Sequence, residues 1–536
     1  MKTESPFHEI NINVNNVKDI LEVVLKSYAD NPVFCFKREN EISRKYKEEF
    51  YLDVKQIGNV FHNMFEKGSH IALLGKTSYE WLACYFGIMN SENVVIPLDR
   101  ELPNDELREV VEFSDAVCIL YDDSCLEKIR FLEKCLKQSV KYISIQPIEG
   151  QKCVWDIVDA IKNTGVWEGE PKASDVAEIV FTSGTTGKSK GCMITHGNLA
   201  CNAMNCSRLI QLTNKDRALS ILPVSHTFEI SAGILTPLCC GVTICINESL
   251  KYLVPNMLNY RPTVMAVVPL IVETFYKNIW REIKKYKKLK RTKLIMNLTW
   301  LLYKCHIDIR RRVFSPIIDR FGGELRVLVV GGAYMEPRII KDFAKLGITI
   351  IQGYGITECA PVVSSNTDKL IKYNSVGKVV NNTRVKIVDG EILVKGPIVM
   401  KGYYKNKQST EEAFDEGWFK TGDLGYLDSD DYLYITGRKK NLIILNNGEN
   451  ISPEYLERKI LLLSYVKEVV VYERDGKIQA EVLLDTESEG ANERIAEDIV
   501  KLNKKMPDYM KIANIFIRKE EFEKTSTSKI KRNVKG

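Results

Sequence analysis

The chain has 536 residues, with 76 lysines and arginines against 70 aspartates and glutamates, a formal net charge of +6. With 45% hydrophobic and 27% charged residues it has the make-up of a soluble globular protein of two to four units, and its mild charge excludes a nucleic-acid footprint. Its 14 cysteines are scattered with no Cys-x-x-Cys, and there are only 6 histidines. That pattern excludes a small disulfide scaffold and a zinc site, and predicts buried free thiols in a reducing cytosol.

Residues Met1 to Asn16 lack a basic stretch followed by an apolar run, so no signal peptide is expected. Val17 to Asn31 has helical periodicity, and Val33 to Arg38 reads as a strand. An amphipathic helix follows over Val54 to Phe65. His70 to Leu74, Asn93 to Leu98 and Ala116 to Tyr121 are short apolar strands, separated by helices over Tyr79 to Asn90 and Leu107 to Phe113. Continuous apolar strands alternating with helices predict a parallel sheet covered on both faces.

Val176 to Phe181 reads as a buried strand that breaks into Thr182-Ser183-Gly184-Thr185-Thr186-Gly187-Lys188-Ser189-Lys190-Gly191. A helix is expected from Asn198 to Cys206. A glycine- and hydroxyl-rich loop with two lysines suits polyphosphate. Glycines let backbone amides approach, hydroxyls donate, and Lys188 and Lys190 offset charge. The loop is not of the Walker type, because the spacing from Gly184 to Gly187-Lys188 is too short.

Ala218 to Ile246 is long enough to span a bilayer, with His226 and Glu229 its only histidine or charged side chains. Pro223, Gly233, Pro237 and Gly241 interrupt it, and a buried strand-helix-strand passage is the better reading. Val264 to Val268 and Leu325 to Val330 resume the strand pattern. Between them, residues 281–312 carry a basic run (Lys284, Lys285, Lys287, Lys288, Lys290, Arg291, Lys293), an apolar helix-like stretch from Leu294 to Tyr303, and Arg310-Arg311-Arg312. This suits peripheral contact with an anionic membrane surface; the other reading is a solvated helix pair covering the sheet. From Val376 short strands with turn residues predict a β-rich subdomain. Composition changes again at Gly437-Arg438, a linker. The last hundred or so residues alternate helix and strand as a small α+β domain.

Several polar clusters fall at strand ends, where open parallel sheets bind ligands. Leu325 to Val330 ends in Gly331-Gly332-Ala333. Ile348 to Ile351 ends in Gln352-Gly353-Tyr354-Gly355-Ile356-Thr357-Glu358. Tyr354 offers a flat ring for a base, and Thr357 and Glu358 offer a hydroxyl and a carboxylate for Mg²⁺. Downstream lie Gly422-Asp423 and Gly437-Arg438. Taken alone, Asp423 reads as a turn residue and Arg438 as a surface charge; the alternative is a pair that takes ribose hydroxyls.

In this order, Thr182 to Gly191, Leu222-Pro223-x-x-His226, Gly353 to Glu358, Gly422-Asp423, Gly437-Arg438 and the Lys529 region resemble the adenylate-forming superfamily. Within it the chain looks most like the long-chain fatty acyl-CoA synthetases, through Leu222 to Glu229, the basic insert, and Gly437 to Ile443. The fold this implies is α/β. Residues 1–436 would form a large N-terminal adenylation region of two parallel-type sheets with helices and a small β-rich subdomain. Residues 437–536 would form a small mobile α+β lid.

The resemblance implies ATP, Mg²⁺ and a carboxylic acid as reactants, with CoA or the phosphopantetheine of a carrier protein as acceptor. Thr182 to Lys188 would hold the β- and γ-phosphates, with Thr185 and Glu358 at Mg²⁺. Tyr354, with Gly353, Gly355 and Thr357, and the Gly331-Gly332-Ala333 turn would frame adenine. Asp423 and Arg438 would hold ribose. Lys529 would bridge carboxylate and α-phosphate oxygens, Lys440 would be the hinge, and His226 and Phe228 would line the acyl and pantetheine passage. No aspartate follows Phe228 where amino-acid-activating relatives hold an ammonium, so an apolar tail is expected. One departure stands out: Ser528 replaces the usual glycine before Lys529.

The leading expectation is a cytoplasmic medium- to long-chain fatty acid–CoA ligase. The rivals are a fatty acyl-AMP ligase loading a carrier protein, an aryl or short-chain acid ligase, and a non-catalytic nucleotide-binding membrane adaptor.

Overall fold

In the computed structural model, residues 5–39, 41–136, 139–161, 169–182, 189–445, 450–463, 465–474, 476–485, 490–524, 530 and 532 are described. They form two compact units, 1–384 with 394–419, and 385–393 with 420–536.

The first unit is built on two large sheets. In one, Thr349–Gly355, Val327–Val330, Val264–Val267, Arg217–Ser220, Thr243–Ile246 and Phe34–Arg38 lie side by side and parallel. Antiparallel strands flank this run, Glu41–Lys45 at one side and Val362–Ser365 then Lys378–Val379 at the other. In the second, Val176–Thr182, Val94–Leu98, His70–Leu74, Ala116–Tyr121 and Lys141–Ser144 are parallel. The inner strands are buried almost throughout, which is why they read as unbroken apolar runs rather than alternating ones. The α/β class expected from the sequence is the one observed.

Two local expectations are corrected. Lys190 and Gly191 do not belong to a loop that feeds a helix. They open an antiparallel strand, Lys190–Thr195, which pairs with Val176–Thr182 in the register Phe181↔Gly191 and Thr182↔Lys190. The apolar and β-branched run Cys192-Met193-Ile194-Thr195 favours a strand here. Helix His196–Ser207 starts only after it, capped reciprocally by Thr195 and Asn198. Likewise the strand that was expected to end before Gln352 continues to Gly355, because Gly353 and Tyr354 find antiparallel partners in Ser365 and Ser364.

The second unit pairs part of Trp418–Leu427 with Leu433–Arg438, antiparallel, with Asp423 opposite Arg438. Beyond it, Val466–Arg474, Lys477–Leu484 and Ile512–Arg518 form a sheet. Helices Pro453–Leu461 and Ala491–Asn503 pack on it through Leu456, Ile460, Ile495 and Ile499. All 14 cysteines are free and most are buried, and burial raises thiols such as Cys118, to about 12. Among the described residues no helix is long and apolar enough to cross a membrane.

Candidate functional site

The parallel register of the first sheet sets Val267, Val330 and Gln352 side by side. The next residue on each strand is therefore Val268, Gly331 and Gly353, at the carboxyl edge where ligands of such sheets bind. The Gly331 turn is held by its N–H, which donates to the Val267 carbonyl at 3.3 Å. It also receives Phe228. A Cβ on Gly331 would stand 3.0 Å from the tip of that ring, so a side chain at 331 would require the ring to give way by a few tenths of an ångström. Two residues 103 positions apart, one predicted for the acyl passage and one for adenine, are thus in direct contact. Phe228 and Val268 both pack on an apolar cluster of the unit.

His226 follows strand Arg217–Ser220 and closes a turn through its N–H to the Pro223 carbonyl at 3.1 Å. Its own carbonyl accepts from Glu229 N–H, at 3.1 Å, at the start of the π-helical stretch Glu229–Leu235. π-Helical turns are uncommon and concentrate at functional sites. Glu229 points inward. Ser220 Oγ donates to its Oε1 at 2.5 Å, and among the described residues Oε2 has no hydrogen-bond partner. Burial pushes this carboxyl up to about 8, against the opposing hydrogen bonds of Ser220 and the Leu222 and Ile221 amides. This carboxyl is therefore held in its neutral form at pH 7, and in that form it cannot serve as a counter-charge for an ammonium.

That neutral carboxyl has a consequence for stability. Near pH 4 both the folded and the unfolded chain hold the proton. As pH rises toward 8 the unfolded chain releases it while the folded chain keeps it, so stability falls through that window. Glu178, buried beside the Tyr85 hydroxyl and raised to about 7, acts in the same direction. Urea melts between pH 5 and 8 should show Glu229→Gln losing a slope of up to about 1.4 kcal/mol per pH unit that the native chain has. Equal slopes would mean that Glu229 is ionised in the folded state.

The strand Thr349–Gly355 leads into a single 3-10 turn, Thr357–Cys359, which carries Glu358. Gly355 lies where the chain doubles back: a Cβ there would meet the Pro361 carbonyl oxygen at 2.3 Å. Glu358 is fixed by two contacts that sequence reasoning missed. Tyr403 O–H donates to Glu358 Oε1 at 3.0 Å, and Met400 N–H donates to the Glu358 carbonyl at 2.8 Å. Burial, then the Glu358 carboxylate, raises the Tyr403 hydroxyl well above its ordinary value, so it stays a donor. Lys190 Nζ sits 4.9 Å over the Tyr403 ring.

Asn202, also missed, braces the turn from helix His196–Ser207. Its Nδ2 donates to the carbonyls of Cys359, at 3.2 Å, and Val362, at 3.1 Å. Nothing local in the sequence marks either residue, since each acts over 45 positions or more. Among the described residues no group of three or more His, Cys, Asp or Glu side chains is placed to hold a metal ion. One carboxylate beside a hydroxyl donor nonetheless fits Mg²⁺, which usually takes one or two carboxylates and completes its shell with substrate phosphates and water.

In the second unit Arg438 Nε donates to Asp423 Oδ1 at 2.6 Å. Their strands place the two residues directly opposite, so the pair is built into the ladder. Asp423 N–H donates to Thr421 Oγ1 at 3.1 Å, and that hydroxyl donates to Ile392 O at 2.8 Å. Glu391, unforeseen from sequence, accepts from Gly422 N–H at 3.0 Å and from Lys439 Nζ at 2.7 Å. Lys440 lies in the 3-10 turn Lys439–Asn441 just after the strand. Thr182 closes the hairpin pairing with Lys190, while Gly332, Ala333 and Tyr354 lie at the strand ends described above. Ser183, Gly184, Thr185, Thr186, Gly187, Lys188 and Lys529 lie outside the described residues.

Residues 21–404 match the AMP-binding enzyme family, and residues 440–535 match the AMP-binding enzyme C-terminal domain. A long-chain-fatty-acid–CoA ligase of Mycobacterium bovis is 29% identical over 454 residues, covering 80% of this chain and 75% of its own. A chloroplastic long-chain-fatty-acid–acyl-carrier-protein ligase of Arabidopsis thaliana is 26% identical over 506 residues, covering 78% and 69%. Among solved structures, an anthranilate CoA ligase in complex with anthranoyl-AMP superposes with a TM-score of 0.79 at 19% identity, covering 97% of this chain and 96% of that one. The last is a likeness of fold.

Proposed function

The chain belongs to the AMP-binding enzyme family, and within it we propose that the protein activates a medium- to long-chain fatty acid, forming an acyl-adenylate from ATP and passing the acyl group to CoA. The observation that supports the choice of acid is the apolar approach of Phe228 to the Gly331 turn. Phe228 and Val268 both pack on an apolar cluster, and Glu229, the residue after Phe228, is turned onto Ser220 and held neutral by burial. An uncharged tail loses no hydration of its own there, whereas an ammonium would find no partner.

In this reading Thr182 to Lys188 hold the β- and γ-phosphates, and Glu358, oriented by Tyr403, holds Mg²⁺ with Thr185. Bound Mg²⁺ would neutralise phosphate charge. Tyr354 and the Gly331-Gly332-Ala333 turn frame adenine, with Gly353, Gly355 and Thr357 shaping the approach, and Asp423 and Arg438 take the ribose. Lys529 stabilises the charge where the carboxylate meets the α-phosphate. Residues 437–536 act as the lid, hinged at Lys440, and His226 lines the thiol passage. The protein works in the cytoplasm.

ATP–pyrophosphate exchange across fatty acids of graded length, beside aryl and short-chain acids, tests the proposal. Exchange should rise with chain length into the medium and long range. Preference for an aryl or short acid would overturn the choice of substrate, and acylation of a carrier protein with no use of CoA would overturn the acceptor. No exchange with any acid would leave a nucleotide-binding protein without this activity.

A further inference from the structure

Helix Leu289–Lys304 is apolar on two sides. Its inner side, with Met296 and Thr299 buried, packs on the core of the first unit. Its outer side carries Leu294, Leu298 and Leu301, spaced to fall on one face. They are 71%, 57% and 59% exposed, and together they form a ridge that nothing in the chain covers among the described residues. One exposed leucine is ordinary; three in a row on one helix face are not.

The surroundings of the ridge are strongly cationic. From Arg281 to Arg312 there are 12 lysines and arginines against two acids, Glu282 and Asp308, a net of +10 by count. The whole chain is +6, so the rest sums to 6 − 10, or −4. Both acids are already engaged, Glu282 with Arg320 and Asp308 with Arg310 at 2.7 Å. The three arginines at the end of the segment are partly structural: Arg310 and Arg311 donate to the carbonyls of Ala344 and Leu325. The six cations from Lys284 to Arg291 are different. They lie just before and at the start of the ridge helix, are solvent-exposed, and among the described residues form no ion pair. Tyr286 stands 64% exposed among them.

Beside the helix runs a groove of about 550 Å³ lined by Trp300, Lys304, Arg338, Lys341 and Lys345, with Tyr373 at its wall. Its two acids are Glu336 and Asp342, and Asp342 already accepts from the Tyr276 hydroxyl at 2.7 Å. The groove thus keeps a cationic surplus next to the apolar ridge.

We propose that this face docks on an anionic lipid bilayer. The ridge of Leu294, Leu298 and Leu301 enters the headgroup boundary, and the cations from Lys284 to Arg291 meet lipid phosphates. An apolar stripe bordered by lysines and aromatic rings is the arrangement that lies in the interface plane rather than crossing it. A second protein or a nucleic acid would match the charge but would not call for a leucine ridge on a convex helix. A fatty acid dissolved in the bilayer would then be met at the surface where it resides. The docking does not depend on the enzymatic reading, because it is measured as binding.

Co-sedimentation of the full chain with vesicles tests it. Mixed phosphatidylglycerol–phosphatidylcholine vesicles should bind the protein, and added salt should weaken that binding. Replacing the leucines together (L294Q, L298Q, L301Q) should weaken binding about tenfold or more. Reversing Lys284, Lys285, Lys287 and Lys288 to glutamate should weaken it about a hundredfold. Circular dichroism of each variant should match the native chain. The inference is overturned if folded variants bind as the native chain does, or if native protein binds pure phosphatidylcholine equally well. It is also overturned if vesicles bind nothing and the leucine variant instead abolishes a dimer. Pyrophosphate exchange measured in parallel separates the two questions, since a chain that binds vesicles but exchanges nothing refutes only the proposed activity.

Discussion

Lys529→Ala lowers acyl-adenylate formation by about 10²–10³-fold, while reaction of preformed acyl-adenylate with CoA is reduced far less. The reason lies in charge. A carboxylate approaching an α-phosphate brings two anions together, and a cation placed between them is worth on the order of 3–4 kcal/mol in the transition state. Among the described residues, two neighbouring cations of the same tail are occupied. Lys524 is paired with Glu468 and Glu521, and Arg532 with Glu457 at 2.5 Å. Those partners raise the Lys524 ammonium and hold it in the fold of its own unit. Lys524→Ala should therefore leave the chemical step near its native rate. Single-turnover formation of adenylate and thioester, followed separately, measures both. Equal loss in the two half-reactions on Lys529→Ala would contradict the role given to Lys529. A large loss in adenylation on Lys524→Ala would move the role to that residue.

Gly355→Ala destabilises the first unit by about 3 kcal/mol and abolishes most adenylation. The obstacle is backbone: the new methyl would sit 2.3 Å from the Pro361 carbonyl oxygen and 2.8 Å from its carbon. A flexible side chain could swing aside, but here the turn itself must move. That turn carries Glu358, and the strand before it carries Tyr354, so the displacement reaches both proposed ligands. Chemical denaturation and pyrophosphate exchange together check this. Unchanged stability would mean that the turn has slack. Lost stability with native exchange would separate the turn from the ATP site.

Much of the fold was legible because parallel strands buried on both faces leave continuous apolar runs. His70–Leu74, Ala116–Tyr121 and Val264–Val267 stand almost where their sequences place them. The strand Lys190–Thr195 was not, because its evidence is a partner strand rather than a pattern. The same holds for the extension through Gly353 and Tyr354. Glycine is a poor strand former by propensity, and only the serines at 364 and 365, opposite, make it one.

The sequence alone determined the α/β class and the order of its glycine-rich and acidic clusters, since both are local properties of short stretches. Tertiary structure decided what those clusters touch. Phe228 against Gly331, Tyr403 on Glu358 and Asn202 under Cys359 are each contacts between residues far apart in the chain. No periodicity encodes them, because a hydrogen bond or a ring contact depends on where two elements meet. The leucines of residues 289–304 make the same point from the other side. By spacing they could belong to a core as well as to a surface. Only the packing of Met296 and Thr299 inward shows that Leu294, Leu298 and Leu301 face out, beside lysines that form no ion pair among the described residues.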